Sequence, residues 1–218
     1  MKIIKKSIPV LLALAVILTD FSLKAWSAPS EDLTHIYYIY GQKYKEYTNR
    51  GIFNDNELAR YISEIQALFG NEKTADEILD VLHTRKALLH EAKILGIYVT
   101  DQRFNEKLNE LQTIIRQEND TISEILAFCA GAGISEEDYW RLSSPLFKEE
   151  WTINKLINTL LEQFMADNPD KGRRENMELF DKYYNNYVKE LKQNYDKDNV
   201  KDDTSGEHSA SYALRLLF

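Results

Sequence analysis

From Asn54 to Tyr195 apolar residues recur at three- and four-residue spacing, and most runs lie between a helix starter and a helix breaker. That combination of period and punctuation leaves little room for a sheet. Asn54 and Asp55 precede Leu58, Tyr61, Ile62, Ile65 and Leu68, and the run stops at Gly70. Thr74 and Glu77 form a capping-box pattern ahead of Ile78, Val81, Leu82, Leu88, Leu89, Ala92 and Leu95. Gly96 then takes the place of a left-handed C′ residue. Thr100 and Asp101 open a third helix whose Phe104, Leu108, Leu111 and Ile115 follow the positions i, i+4, i+7 and i+11. Thr121 and Glu124 repeat the capping-box pattern before Ile125, Leu126 and Phe128, with Gly131 and Gly133 as stops. Ser135 starts the longest run, through Leu146, Ile153, Ile157, Leu160 and Phe164, and Pro145 is expected to begin a segment or bend it. Asn168-Pro169 and Gly172 interrupt the pattern. Met177, Phe180, Tyr184, Tyr187, Leu191 and Tyr195 mark a last helix.

The expected fold is all-α: about six helices spread over residues 28–195, with at most one short N-terminal strand. That strand is Ile36–Tyr40 (IYYIY), a β-prone stretch ended by Gly41. Residues 196–218 read as a disordered C-terminal tail, polar over 196–209 and apolar again in ASYALRLLF.

The first 27 residues have the parts of a cleavable export signal. Lys2, Lys5 and Lys6 give a positive start, Ile8–Leu18 an apolar run of 11 residues, and Ala25 and Ser27 a small-x-small cleavage site. A comfortable membrane span needs about 20 residues, so an uncleaved anchor or a buried helix is the alternative reading. Cleavage there takes the net charge from −8 to −11, because residues 1–27 hold four lysines and one aspartate. An acid balance of that size argues against nucleic acid and against docking on anionic lipid. It suits solubility and cationic or unfolded partners. The single Cys129 excludes an internal disulfide framework, and its Ala and Phe neighbours imply a small buried hydrophobe rather than a reactive thiol.

Motifs for chemistry are sparse. His90-Glu91 begins like a zincin helix, but Ile94 stands where the second histidine belongs. His83 and His90 share a helix face without a third ligand nearby, so structural roles are favoured and no metal or cofactor is expected. Glu136, Glu137 and Asp138 suit a helix N-terminus better than acid–base catalysis. The 13 tyrosines stand out more. Tyr37, Tyr38, Tyr40, Tyr44 and Tyr47 crowd one end; Tyr183, Tyr184, Tyr187 and Tyr195 crowd the other. Such rings either pack the two ends of the chain together or give contact area to a bound peptide.

Three stretches resemble the N-terminal chaperone domain of the SurA/PrsA-type extracytoplasmic foldases, which is similar to the peptide-binding region of trigger factor. Ala87–Leu111 (ALLHEAKILGIYVTDQRFNEKLNEL) resembles the family's passage from one helix through Gly-Ile-x-Val-Ser/Thr-Asp into the next. Gly131–Trp140 (GAGISEEDYW) resembles the opening of its long helix, and Leu146–Leu161 (LFKEEWTINKLINTLL) the end of that helix. The likeness is closest over residues 78–161. In it IYYIYGQ stands for the family's opening strand, with Tyr40 and Gln42 in place of Asn and Glu. Isomerase members add a parvulin domain of about 90 residues with a mixed sheet, and nothing after Leu161 has strand periodicity.

The resemblance implies a non-catalytic, chaperone-like protein outside the cytoplasm that binds unfolded or nascent exported polypeptides and meets the membrane only through its signal peptide. Tyr61, Phe104, Tyr139, Trp140, Trp151, Tyr183, Tyr184 and Tyr187 are its expected client contacts, each equally suited to a core. The alternative is an envelope structural or assembly protein with one dedicated partner; a prolyl isomerase would need the parvulin domain.

Overall fold

The computed structural model describes residues 30–49, 54–68, 70, 73–169 and 173–199; the expected signal peptide and the tail beyond 199 lie outside them. The fold is all-helical, with no strand among the described residues: α1 (Ser30–Asn49), α2 (Asp55–Leu68), α3 (Ala75–Ile94), α4 (Asp101–Gln117), α5 (Asn119–Ala132), α6 (Glu136–Asp167) and α7 (Arg173–Asn199).

Most of the punctuation works as local chemistry demands. The Thr74 hydroxyl accepts from the Glu77 N–H at 3.3 Å while the Glu77 carboxylate accepts from the Thr74 N–H at 2.7 Å, a complete capping box. Ser135 and Asp138 make another at the start of α6. Thr100 caps α4 through the Arg103 N–H. Gly96 and Gly133 hold φ of +65° and +72°, so the Ile97 N–H can reach back to the Ala92 carbonyl at 2.7 Å and the Ile134 N–H to that of Cys129 at 3.1 Å.

Four expectations are corrected. Ile36–Tyr40 is helical, because Tyr37, Tyr40, Tyr44 and Tyr47 lie at i, i+3, i+7 and i+10 and turn one face of α1 to the core. Thr121 caps nothing: α5 begins at Asn119, and Thr121 is buried within it, donating to Glu118. Gly131 sits inside α5 rather than ending it, and Pro145 lies within the 32-residue α6, leaving a bend as its expected effect. Residues 196–199, expected in the tail, finish α7.

Two apolar clusters form the core. The first gathers Tyr37 and Tyr44 of α1, Leu58, Tyr61, Ile62 and Ile65 of α2, the start of α3, Ile125 and Phe128 of α5, and Tyr139 to Phe147 of α6. The second joins Ala87, Leu88 and Ala92 of α3 with Ile153, Leu156 and Leu160 of α6 and Phe180 and Leu191 of α7. The two tyrosine groups therefore pack into different clusters and do not bring the chain ends together. Only α3 and α6 supply buried residues to both. At the seam, buried Arg85 of α3 donates to Glu150 and to Glu149 of α6, each at 3.1 Å. Burial raises the Glu150 pKa, opposed by the Arg85 charge. Cys129 is buried as expected, and burial pushes its thiol up to about 11.

Candidate functional site

The Schellman turn that ends α3 and the cap that starts α4 leave a short exposed connection. Ile94 and Tyr98 are each 62% exposed and Leu95 50%, although Leu95 continues the apolar run by sequence. Val99 turns inward and anchors the connection in the first cluster. From there α4 stands alongside the second half of α6, and an open cleft of about 530 Å³ lies between them.

Trp151 of α6 lines the cleft half-buried, its ring 5.3 Å from that of Phe104 beneath the start of α4. The Lys107 ammonium lies 6.0 Å from the Trp151 ring centroid, within cation–π range. Arg103, one turn before Lys107, shares the wall, and Lys155 faces them from α6. Lys155 donates to the Tyr98 carbonyl at 3.1 Å and so fixes the connection against α6. Lys148 pairs with Asp101, tying the first turn of α4 to the same helix. Asn154 donates to Glu150 at 3.1 Å, which links the cleft to the Arg85 seam. Asn158, Thr159 and Glu162 extend the wall along α6. The cleft thus brings together the rings of Tyr98 and Trp151 and the cations Arg103, Lys107 and Lys155, with Asn154, Asn158, Thr159 and Glu162 along α6.

The expected contact residues divide. Trp151 is in the cleft and Phe104 supports it. Tyr61, Tyr139 and Trp140 are buried in the first cluster, 2–5% exposed, and Phe104 is 5% exposed. Their role is core packing; Trp140 also donates to Glu136 at 3.0 Å. Tyr184 and Tyr187 are half-buried on α7, and Tyr187 donates to Glu91 of α3 at 2.8 Å. Burial raises the Tyr184 pKa to about 12, so its phenol stays neutral. Tyr183, 40% exposed, stacks on Tyr187 with the rings 26° apart. These three bind α7 to the body, with only Tyr183 substantially open.

Sequence reasoning missed Tyr98, Arg103, Lys107 and Lys155. The available signal was the hydrophobes at Ile94, Leu95 and Tyr98 crowding a helix break, where apolar residues have no stripe to join. His83 spends Nε2 on Asp196 at 2.7 Å, and Tyr195 lies against both His83 and His90. Among the described residues no group of three or more His, Cys, Asp or Glu is placed to hold a metal ion, and no helix is long and apolar enough to cross a membrane. Comparison with family models, with curated proteins and with solved structures finds no match for this chain.

Proposed function

We propose that the protein is a non-catalytic, chaperone-like binder of unfolded or partly folded exported polypeptides, working outside the cytoplasm after cleavage behind Ser27. The observation that carries this reading is Tyr98, an aromatic side chain 62% exposed on the lining of an open cleft that also holds Trp151, with Ile94 and Leu95 exposed on the turn just before it in the chain. Exposed apolar groups beside a concavity mark interaction sites in soluble proteins. The cleft lies in the stretch that resembles the foldase chaperone domain, and its open side can admit an extended segment.

Aggregation of a chemically denatured client, followed by light scattering, tests the proposal. The protein should slow aggregation at a few-fold molar excess, and Ile94→Ser/Leu95→Ser/Tyr98→Ser should lose that effect while keeping its helical circular dichroism. No protection of any of several unrelated clients would overturn the reading and favour the dedicated envelope partner, which a pull-down from the exported fraction would then show as one dominant band. A proline-limited refolding assay tests the non-catalytic part, since the uncatalysed step takes tens of seconds and acceleration is easily seen. The exported protein should have its N-terminus at Ala28 by intact mass.

A further inference from the structure

Resting on that reading, we infer that the cleft selects its polypeptide by charge: it takes acidic segments, with carboxylates against Arg103 and Lys107 and a neighbouring apolar side chain against Trp151. Three observations lead there. The chain as a whole carries a net charge of −8, yet Arg103, Lys107 and Lys155 converge on one cleft whose only lining carboxylate is Glu162. Local sign is therefore opposite to global sign.

Arg103 and Lys107 also lack an ion-pair partner among the described residues. Many cations elsewhere are committed: Lys43 to Glu64, Lys86 to Asp55, Arg116 to Glu136, Arg141 to Asp138 and Lys192 to Asp80. Of the acids on α4, Asp101 is held by Lys148 and Glu106 accepts from Gln102 at 3.1 Å, while Glu110 stands three residues after Lys107 with no ion pair to it.

The placement is moreover unfavourable for the helix itself. Like charges at i and i+4 repel, and a cation in the first turn opposes the helix dipole. Arg103 lies in the first turn and has Lys107 at i+4, so it meets both on the wall of the cleft, with Glu106 and Glu110 at i+3 as the only acids of α4 beside the pair. A bound carboxylate would relieve the two together, and the planar guanidinium of Arg103 is suited to a bidentate grip on one.

Binding of three fluorescein-labelled peptides to the purified full chain tests the inference by anisotropy. The peptides share an apolar framework and carry Glu, Gln or Lys at the remaining positions. Two rim pairs should favour the Glu peptide over the Lys peptide by about tenfold at low salt. The preference should collapse near 1 M salt, where the screening length falls to about 3 Å. Arg103→Glu/Lys107→Glu, on an exposed helix face, should keep the fold and invert the order. Equal binding of all three peptides, or a preference unmoved by the charge reversal, would overturn charge selection while leaving polypeptide binding intact. Binding of none of them would sink both readings. Tighter binding of a single-stranded oligonucleotide than of the Glu peptide would overturn the assignment of the ligand as polypeptide.

Discussion

Gly41 and Gly131 meet where α1 crosses α5 in backbone contact. A Cβ built on Gly41 would lie 2.1 Å from the Phe128 carbonyl oxygen, and one on Gly131 would lie 2.0 Å from that of Tyr38. Neither neighbour is a side chain that can swing aside. Substitution by alanine would gain about 0.5–1 kcal/mol of helix propensity but force the helices apart. Gly41→Ala and Gly131→Ala should each show a net loss of about 1–3 kcal/mol or more in urea unfolding. A stabilising outcome for either would mean the crossing is looser than described.

Glu124 of α5 gives a pH dependence. Burial, with a smaller contribution from Asp120, raises its carboxyl from 4.5 to about 7. A carboxyl raised in the folded state favours folding while protonated. Its contribution is full below pH 4.5 and is lost as the pH rises through 7. Glu124→Gln should therefore raise the melting temperature at pH 8 relative to the parent and leave it nearly unchanged at pH 4.5. Thermal scans at the two values decide it; an equal shift at both would show that the carboxyl titrates normally.

The Arg85 seam predicts an asymmetry. Arg85→Met strands the buried Glu150 carboxylate beside the half-buried Glu149 and should cost about 3–5 kcal/mol. Arg85→Met/Glu150→Leu removes both charges from the interior and should recover much of that loss. Denaturant titration of the single and double variants measures the coupling, and simple additivity would argue against a paired seam.

The two tryptophans should separate core from contact. Trp140→Ala empties a site in the first cluster and should cost about 3–5 kcal/mol. Trp151→Ala, half-buried on the cleft, should cost clearly less and yet weaken protection of clients. Equal stability losses would place Trp151 in the core too.

Much of the fold was legible because caps and stops are local. Thr74 with Glu77, Ser135 with Asp138, and the glycines at 96 and 133 act within one turn of chain, and their side-chain chemistry suffices to place helix ends. The IYYIYGQ stretch misled because its propensity favours a strand while its tyrosine spacing, read at 3.6, favours a helix; tertiary burial of Tyr37 and Tyr44 settled it. The cleft was nearly invisible. It draws on two helices about 50 residues apart and on polar groups that form no motif, and aromatic content pointed instead to Tyr61, Tyr139 and Trp140, which the core consumes. Of the expected contacts, Trp151 lines the cleft, and Tyr183 is open on α7 away from it.

The α1–α5 crossing also sets an order of events. Asn49 leaves the ribosome about 70 residues before the first residue of α5. At about 5–20 residues per second α1 waits several seconds for the helix it must touch at Gly131. During that interval α2 is the earliest cover available to the tyrosine face of α1. Because α1 cannot finish packing until α5 has been made, the nascent chain stays loose across the whole stretch between them.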